Sequence, residues 1–69
     1  MNDDVLALLD LPALEKIRLA RREWLVIISQ LHFAQPPGSP DLRLLYAYEE
    51  ARRALQSIEA EINKRQAAL

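Results

Sequence analysis

Apolar and polar residues alternate along this chain with a helical period that is broken once. Leu14, Ile17, Arg21, Trp24, Ile28 and Leu31 step by 3, 4, 3, 4 and 3, the spacing of a heptad seam interrupted by one arginine. Ala13, Ala20 and Ile27 widen that seam on one side, and Leu11 and Leu25 on the other. A second seam, Leu44, Tyr48, Ala51, Leu55, Ile58, Ile62, Arg65 and Leu69, steps alternately by 4 and 3. Between them Gln35-Pro36-Pro37-Gly38-Ser39-Pro40-Asp41 holds three of the four prolines and the only glycine. Proline lacks the amide donor and pushes the residue before it away from helical angles, so the first helix must end near Ala34. Ser39 at the cap, Pro40 at the first helical position and Asp41 at the positive end of the dipole predict a new start. The expected elements are a helix over 11–33, opened by Asp10-Leu11-Pro12 with Glu15 in its first turn, a turn over 34–39 and a helix over 40–68. Ahead of them lies a segment, 1–10, in which Val5 to Leu9 follow Asp3 and Asp4, either of which suits the cap of a short helix. The run Trp24 to Ile28 is rich in strand formers, but no second strand is there to pair with it.

A connection this short joins antiparallel neighbours, which makes the unit a helical hairpin. Facing residues then have numbers that sum to roughly 75. Leu31 meets Leu44, Ile28 meets Tyr48, Trp24 meets Ala51, Arg21 meets Leu55, Ile17 meets Ile58 and Leu14 meets Ile62. The same register brings Asp10 near Arg65 and leaves the end of the second helix to be covered by Val5 to Leu9. Leu19, Leu25, Val26, Ile27, Leu42, Leu45 and Tyr46 remain over once one seam is closed. The expected fold is therefore all-α, an antiparallel hairpin with a short N-terminal helical segment, pairing as a twofold homodimer into a four-helix bundle. The residues expected in the core or the dimer are Leu14, Ile17, Trp24, Ile27, Ile28, Leu31, Tyr48, Leu55, Ile58 and Ile62. The alternative occupant of the surplus face is a different protein.

Composition narrows the chemistry more than it identifies it. Sixty-nine residues without cysteine form one small domain that neither a disulfide nor a thiolate metal site can staple. Nine basic and ten acidic side chains leave a formal net charge of −1, which offers no global pull toward nucleic acid or anionic membranes. The acidic start, Met-Asn-Asp-Asp, and the short apolar runs argue against a signal peptide or a membrane span and for a cytoplasmic location. Ser29 and His32 are the one nucleophile and base at helical neighbour spacing, without an orienting carboxylate. A single imidazole with no acidic partner at that spacing is a poor metal ligand set. No catalytic residue, cofactor or metal is expected, and the chain is read as a non-enzyme. What remains is a set of arginines. Arg18, Arg21 and Arg22 on the first helix and Arg52 and Arg53 on the second gather into a mid-bundle belt if Arg22 lies across from Arg53. A solvated belt paired with Glu15, Glu23, Glu49 and Glu50 is the plain outcome. Arginine beside Trp24 or Tyr46 is also the residue mix of binding hot spots, so Arg18, Arg22, Arg52, Arg53 and Tyr46 are the candidate partner-binding residues. On the outer face, Glu49 with Arg53 and Glu61 with Arg65 have the favourable four-residue spacing.

The layout, from Met-Asn-Asp-Asp-Val-Leu-Ala-Leu-Leu-Asp through the Pro-Pro-Gly break to the charged second helix, resembles small phage-encoded host-takeover proteins. It is most similar to the anti-quorum-sensing anti-activators of Pseudomonas phages. The resemblance implies a dimeric hairpin that binds the DNA-binding domain of a LuxR-type quorum-sensing activator and blocks its use of DNA. A second target it implies is the type IV pilus assembly ATPase. The expected function is thus a protein-binding inhibitor that occludes a bacterial host protein. The alternatives are a structural subunit that only forms bundles and a small DNA-binding regulator.

Overall fold

The computed structural model describes residues 3–36, 38 and 41–68, with only the backbone at Asp3. Three helices follow one another: α1 (Asp3–Leu8), α2 (Leu11–Phe33) and α3 (Leu42–Ala67). The two long helices pack side by side as a hairpin, and α1 lies on the far end of α3. No strand occurs among the described residues. None of the helices is long and apolar enough to cross a membrane.

Each boundary has a local cause. Asp10 sits in an extended conformation before α2, and its Oδ1 accepts from the Ala13 N–H at 3.0 Å. Its carbonyl accepts from the Leu14 N–H, and Pro12 occupies the first turn, where a missing donor costs nothing. Glu15 falls just past that turn. At the other end the Ala34 N–H still reaches the Gln30 carbonyl, and Pro36 then forbids continuation. Gly38 takes φ +88, a left-handed angle that an L side chain resists even where space is open, as it is here. The start of α3 differs from the expected one. Asp41 is its N-cap, with Oδ1 accepting from the Arg43 N–H at 3.0 Å, so the helix opens at Leu42. Ser39 and Pro40, given that role from the sequence, lie outside the described residues. Asp3 and Asp4, expected to cap, are inside α1.

The hairpin is closed at its tip by one side chain. Gln35 Oε1 accepts from the Asp41 N–H at 2.8 Å, tying the exit of α2 to the entry of α3. At the opposite end Leu6, Leu14, Ile58 and Ile62 form a fully enclosed cluster, with Leu9, Leu11 and Ile17 packed against it. This is the overhang that Val5 to Leu9 were expected to cover, and Leu6, at 1% exposure, is the residue that covers it. Arg65 fixes α1 there. Its Nη2 donates to the Leu6 and Ala7 carbonyls at 3.0 and 3.1 Å, while its Nε donates to Glu61 at 2.9 Å. The last carbonyls of a helix have no i+4 partner; that of Leu6 also accepts from the Leu9 N–H at 3.2 Å, and since α1 carries no basic residue in its last turn the charge comes from α3. The expected pairing of Arg65 with Asp10 is not formed, because Asp10 is committed to its cap.

The face that α2 turns to α3 is rotated by one position from the expected seam. Leu14 and Ile28 are buried, and Arg18, Arg21, Leu25 and His32 are partly covered, a line of the same 4, 3 spacing. Trp24 and Leu31, read as seam residues, are 45% and 52% exposed, and Ile27 is 49% exposed. On α3 the expected line holds: Ala51, Leu55, Ile58 and Ile62 are buried, Leu44 and Tyr48 partly so, and Ala54 joins them.

Replacing Arg65 by alanine should remove three charge-assisted hydrogen bonds and the packing of a largely covered stem. Such bonds contribute about 1.5 to 3 kcal/mol each when partly buried, less when solvated. The expected outcome is a loss of roughly 1 to 3 kcal/mol in chemical denaturation, with amide exchange accelerated selectively over 5–9.

Candidate protein-docking surface

Two apolar stripes remain on the outside of α2. At about 100° per residue, Leu19, Val26 and Phe33 lie to one side of the buried line, and Trp24, Ile27 and Leu31 to the other. All six are exposed, Phe33 most of all at 72%. On the Phe33 side the stripe is joined to α3 by rings. His32 stacks on Tyr48 with centroids 5.2 Å apart and planes at 17°, and Phe33 meets Tyr48 edge-on at 5.7 Å. The Arg52 guanidinium lies 5.9 Å from the Tyr48 centroid, within cation–π reach. Tyr48 touches residues nearer the tip than its backbone register suggests. A helical side chain leans toward its own N-terminus, and the N-terminus of α3 is at the tip.

The five mid-chain arginines do not gather into one belt. Arg18 is bound to Glu15 at 2.7 Å, with its Nε enclosed and without a hydrogen-bond partner. Arg53 pairs with Glu49 at 3.6 Å and lines a groove on the α1 side of α3 with Asp4, Ser57 and Lys64. Arg21 borders a groove beside Trp24, Ala47, Glu50 and Ala51. Arg22 and Arg52 are exposed and in no ion pair among the described residues; Arg52 lies over the Tyr48 ring and borders a groove with Glu49, Arg53 and Gln56. Of the candidates named from sequence, Arg22 and Arg52 therefore share the Phe33 side. Tyr46, 65% exposed, falls one heptad from Arg53 on the outside of α3 and belongs with neither. The expectation failed because Arg52 and Arg53, adjacent in sequence, diverge by about 100° around the axis. The Glu49–Arg53 and Glu61–Arg65 pairs form as their spacing predicts.

His32 is engaged in ring packing, and its Nδ1 is enclosed without a hydrogen-bond partner. Ser29 lies one turn earlier and is half-buried. No group of three or more histidine, cysteine, aspartate or glutamate side chains among the described residues is placed to hold a metal ion. The ring cluster was not foreseen as a unit. Its one sequence signal was an adjacent His32-Phe33 pair, just ahead of the turn, and an aromatic residue about two turns into the next helix.

The surface that results is an exposed apolar stripe, Leu19, Val26 and Phe33, flanked by Arg22 and Arg52, neither of which is in an ion pair among the described residues. Its chemistry is that of contact. Apolar area supplies the driving force and arginine forks supply direction toward carboxylates. In comparisons with known proteins, no family model, curated protein or solved structure matches this chain.

Tyr48→Leu keeps apolar volume and removes the partner of three groups. Losing one stacked and one edge-on ring pair should cost about 1 to 2 kcal/mol beyond area. Thermal unfolding followed by helical circular dichroism checks the value.

Proposed function

We propose that this chain acts by occlusion: it lays the Phe33 side of a rigid hairpin over a functional surface of a larger bacterial protein and performs no chemistry there. The observation that carries the reading is the pairing of Arg22 and Arg52, neither in an ion pair among the described residues, with the exposed Leu19, Val26 and Phe33 stripe. An exposed apolar stripe rimmed by polar residues is the mark of a surface that another molecule covers. Exposed aromatic and arginine side chains in one patch are the composition of interface hot spots. The ring cluster holds Phe33 and Arg52 in place before binding, which lowers the ordering cost of association.

The resemblance to phage anti-activators supplies the first target to try, the DNA-binding domain of a LuxR-type quorum-sensing activator in the host cytoplasm. The type IV pilus assembly ATPase is the second. Direct DNA binding is disfavoured by the acidic residues interleaved with the arginines and by the net charge of −1. A subunit that only builds bundles would use the same apolar area but would bind nothing except its own copies.

The test is titration of a purified LuxR-type activator bound to promoter DNA with this chain. The expected result is release of DNA with no loss of chain integrity. The double substitution Arg22→Glu with Arg52→Glu should weaken that effect by about 30-fold or more, as for a hot-spot pair at about 1 kcal/mol or above per residue. Retained DNA occupancy with both targets absent from a binding assay would leave the bundle subunit as the better reading.

A further inference from the structure

The side of α3 that points away from α2 serves neither the hairpin nor the Phe33 surface. Arg53, Ser57, Ala60 and Lys64 step by 4, 3 and 4, so at about 100° per residue they share one line along the helix. Tyr46 stands one heptad ahead of Arg53 on that line. Two residues singled out from the sequence, Tyr46 and Arg53, therefore meet here, on the outside of α3.

The line is not flat. Where α1 lies beside α3 it sinks into a groove of 680 Å³, a volume within the range in which ligands seat, roughly 300 to 1,000 Å³. The cause is side-chain size. Ala7 of α1 and Ser57 and Ala60 of α3 are small, while Arg53 and Gln56 at one end and Lys64 at the other are long. Arg53, Gln56, Ala60 and Lys64 stay exposed, so an occupant lies along the groove rather than inside it.

The charge this groove offers is positive at both ends. Of the two acids on its walls, Glu61 is held by Arg65 at 2.9 Å and Asp4 is engaged as well. Lys64 is in no ion pair among the described residues. Arg53 reaches Glu49 at 3.6 Å with its side chain 76% exposed, a solvated pair that holds its guanidinium weakly. Between the two cations stand the neutral Gln56 and Ser57.

We propose that this groove is a docking site for an extended acidic peptide segment of a partner protein. Arg53 and Lys64 are eleven positions apart, about 16 Å along the axis at 1.5 Å per residue. Roughly five residues of extended chain cover that span, so two carboxylates about five residues apart meet one cation each. The Gln56 amide, a donor and an acceptor together, suits the peptide backbone between them. The small floor lets that backbone come close. An apolar side chain continuing past Arg53 reaches Tyr46, and tyrosine beside arginine is the composition of a hot spot. A helix of about 10 Å diameter has no room to settle on such a floor, and its own amides are already paired. A nucleic acid fits less well still, because its evenly spaced phosphates would fall against Asp4, Glu49 and Glu61 as well as the cations. A peptide carries its carboxylates only where they are wanted.

The site is independent of the occlusion surface, since it uses the outer side of α3 and its test contains no quorum-sensing or pilus protein. The probe is a fluorescein-labelled peptide of about ten residues with two aspartates about five apart and a leucine at either end, followed by fluorescence anisotropy against the full chain. Saturable binding is expected, and the same peptide with asparagine for aspartate should bind at least about 10-fold more weakly. Lys64→Glu should weaken binding of the aspartate probe by about 10-fold or more. Ala60→Tyr, which fills the floor without changing charge, should do the same. Both positions are exposed, so helical circular dichroism should be retained. Lys16→Glu makes the same charge change on α2, and affinity should stay within about 2-fold. Absence of saturable binding, equal binding of the asparagine peptide, equal weakening by Lys16→Glu, or unchanged affinity in Ala60→Tyr would each overturn the proposal.

Discussion

Two α-helices share only one face, and any further apolar residue must be covered by something else. That constraint governs this chain. The shared face is already used by Leu14 and Ile28 against Ala51, Leu55, Ile58 and Ile62. At one end a third element meets the shortage. Helix α1 is too short to hold itself together in water, yet Leu6 closes the cluster at that end and Arg65 adds hydrogen bonds to its Leu6 and Ala7 carbonyls. Toward the tip no third element arrives. The apolar side chains there stand open on both flanks, and the functional readings follow from that opening.

The turn decides how the two helices meet. Pro36 ends α2, Gly38 reverses the chain at a positive φ, and Gln35 and Asp41 join across it. A connection this short gives the long helices no freedom to slide by a turn. The Leu14 and Ile58 pair at the far end and the His32 and Tyr48 stack near the tip are then consequences of one register. The hydrogen bond from Asp41 to Gln35 gives direction to a loop otherwise built from prolines, and it explains why capping passes to Asp41. Its N–H faces Gln35 and its carboxylate faces Arg43.

The existence of the two long helices, their hairpin and the covering role of Leu6 and Leu9 were legible because they rest on local rules: proline placement, capping and the 3.6-residue period; Val5 and Leu8, expected to share that role, stay exposed. The rotation of α2 was not. Trp24 and Leu31 are large apolar residues on the expected line, and a reading by hydrophobicity puts them inward. The contact is set instead by how the ridges of two helices fit, and Leu25 and His32 are the partly covered residues, His32 against Tyr48. Arg18 and Arg21 ride along at the margin because long arginine stems lie on apolar surface while their heads reach out. The candidate surface suffered similarly. Arg22 and Arg52 could be named as arginines, but only packing shows that Arg52 rests on Tyr48 while Arg53 turns toward Glu49 and the α1 groove.

The rotation also decides what α2 shows on its two flanks. Trp24, Ile27 and Leu31 stay exposed on one flank, and Leu19, Val26 and Phe33, with Arg22 beside them, on the other. The line turned toward α3 carries Arg18, Arg21 and His32 beside Leu14, Leu25 and Ile28, so the hairpin covers part of its polar surface and leaves large apolar side chains open.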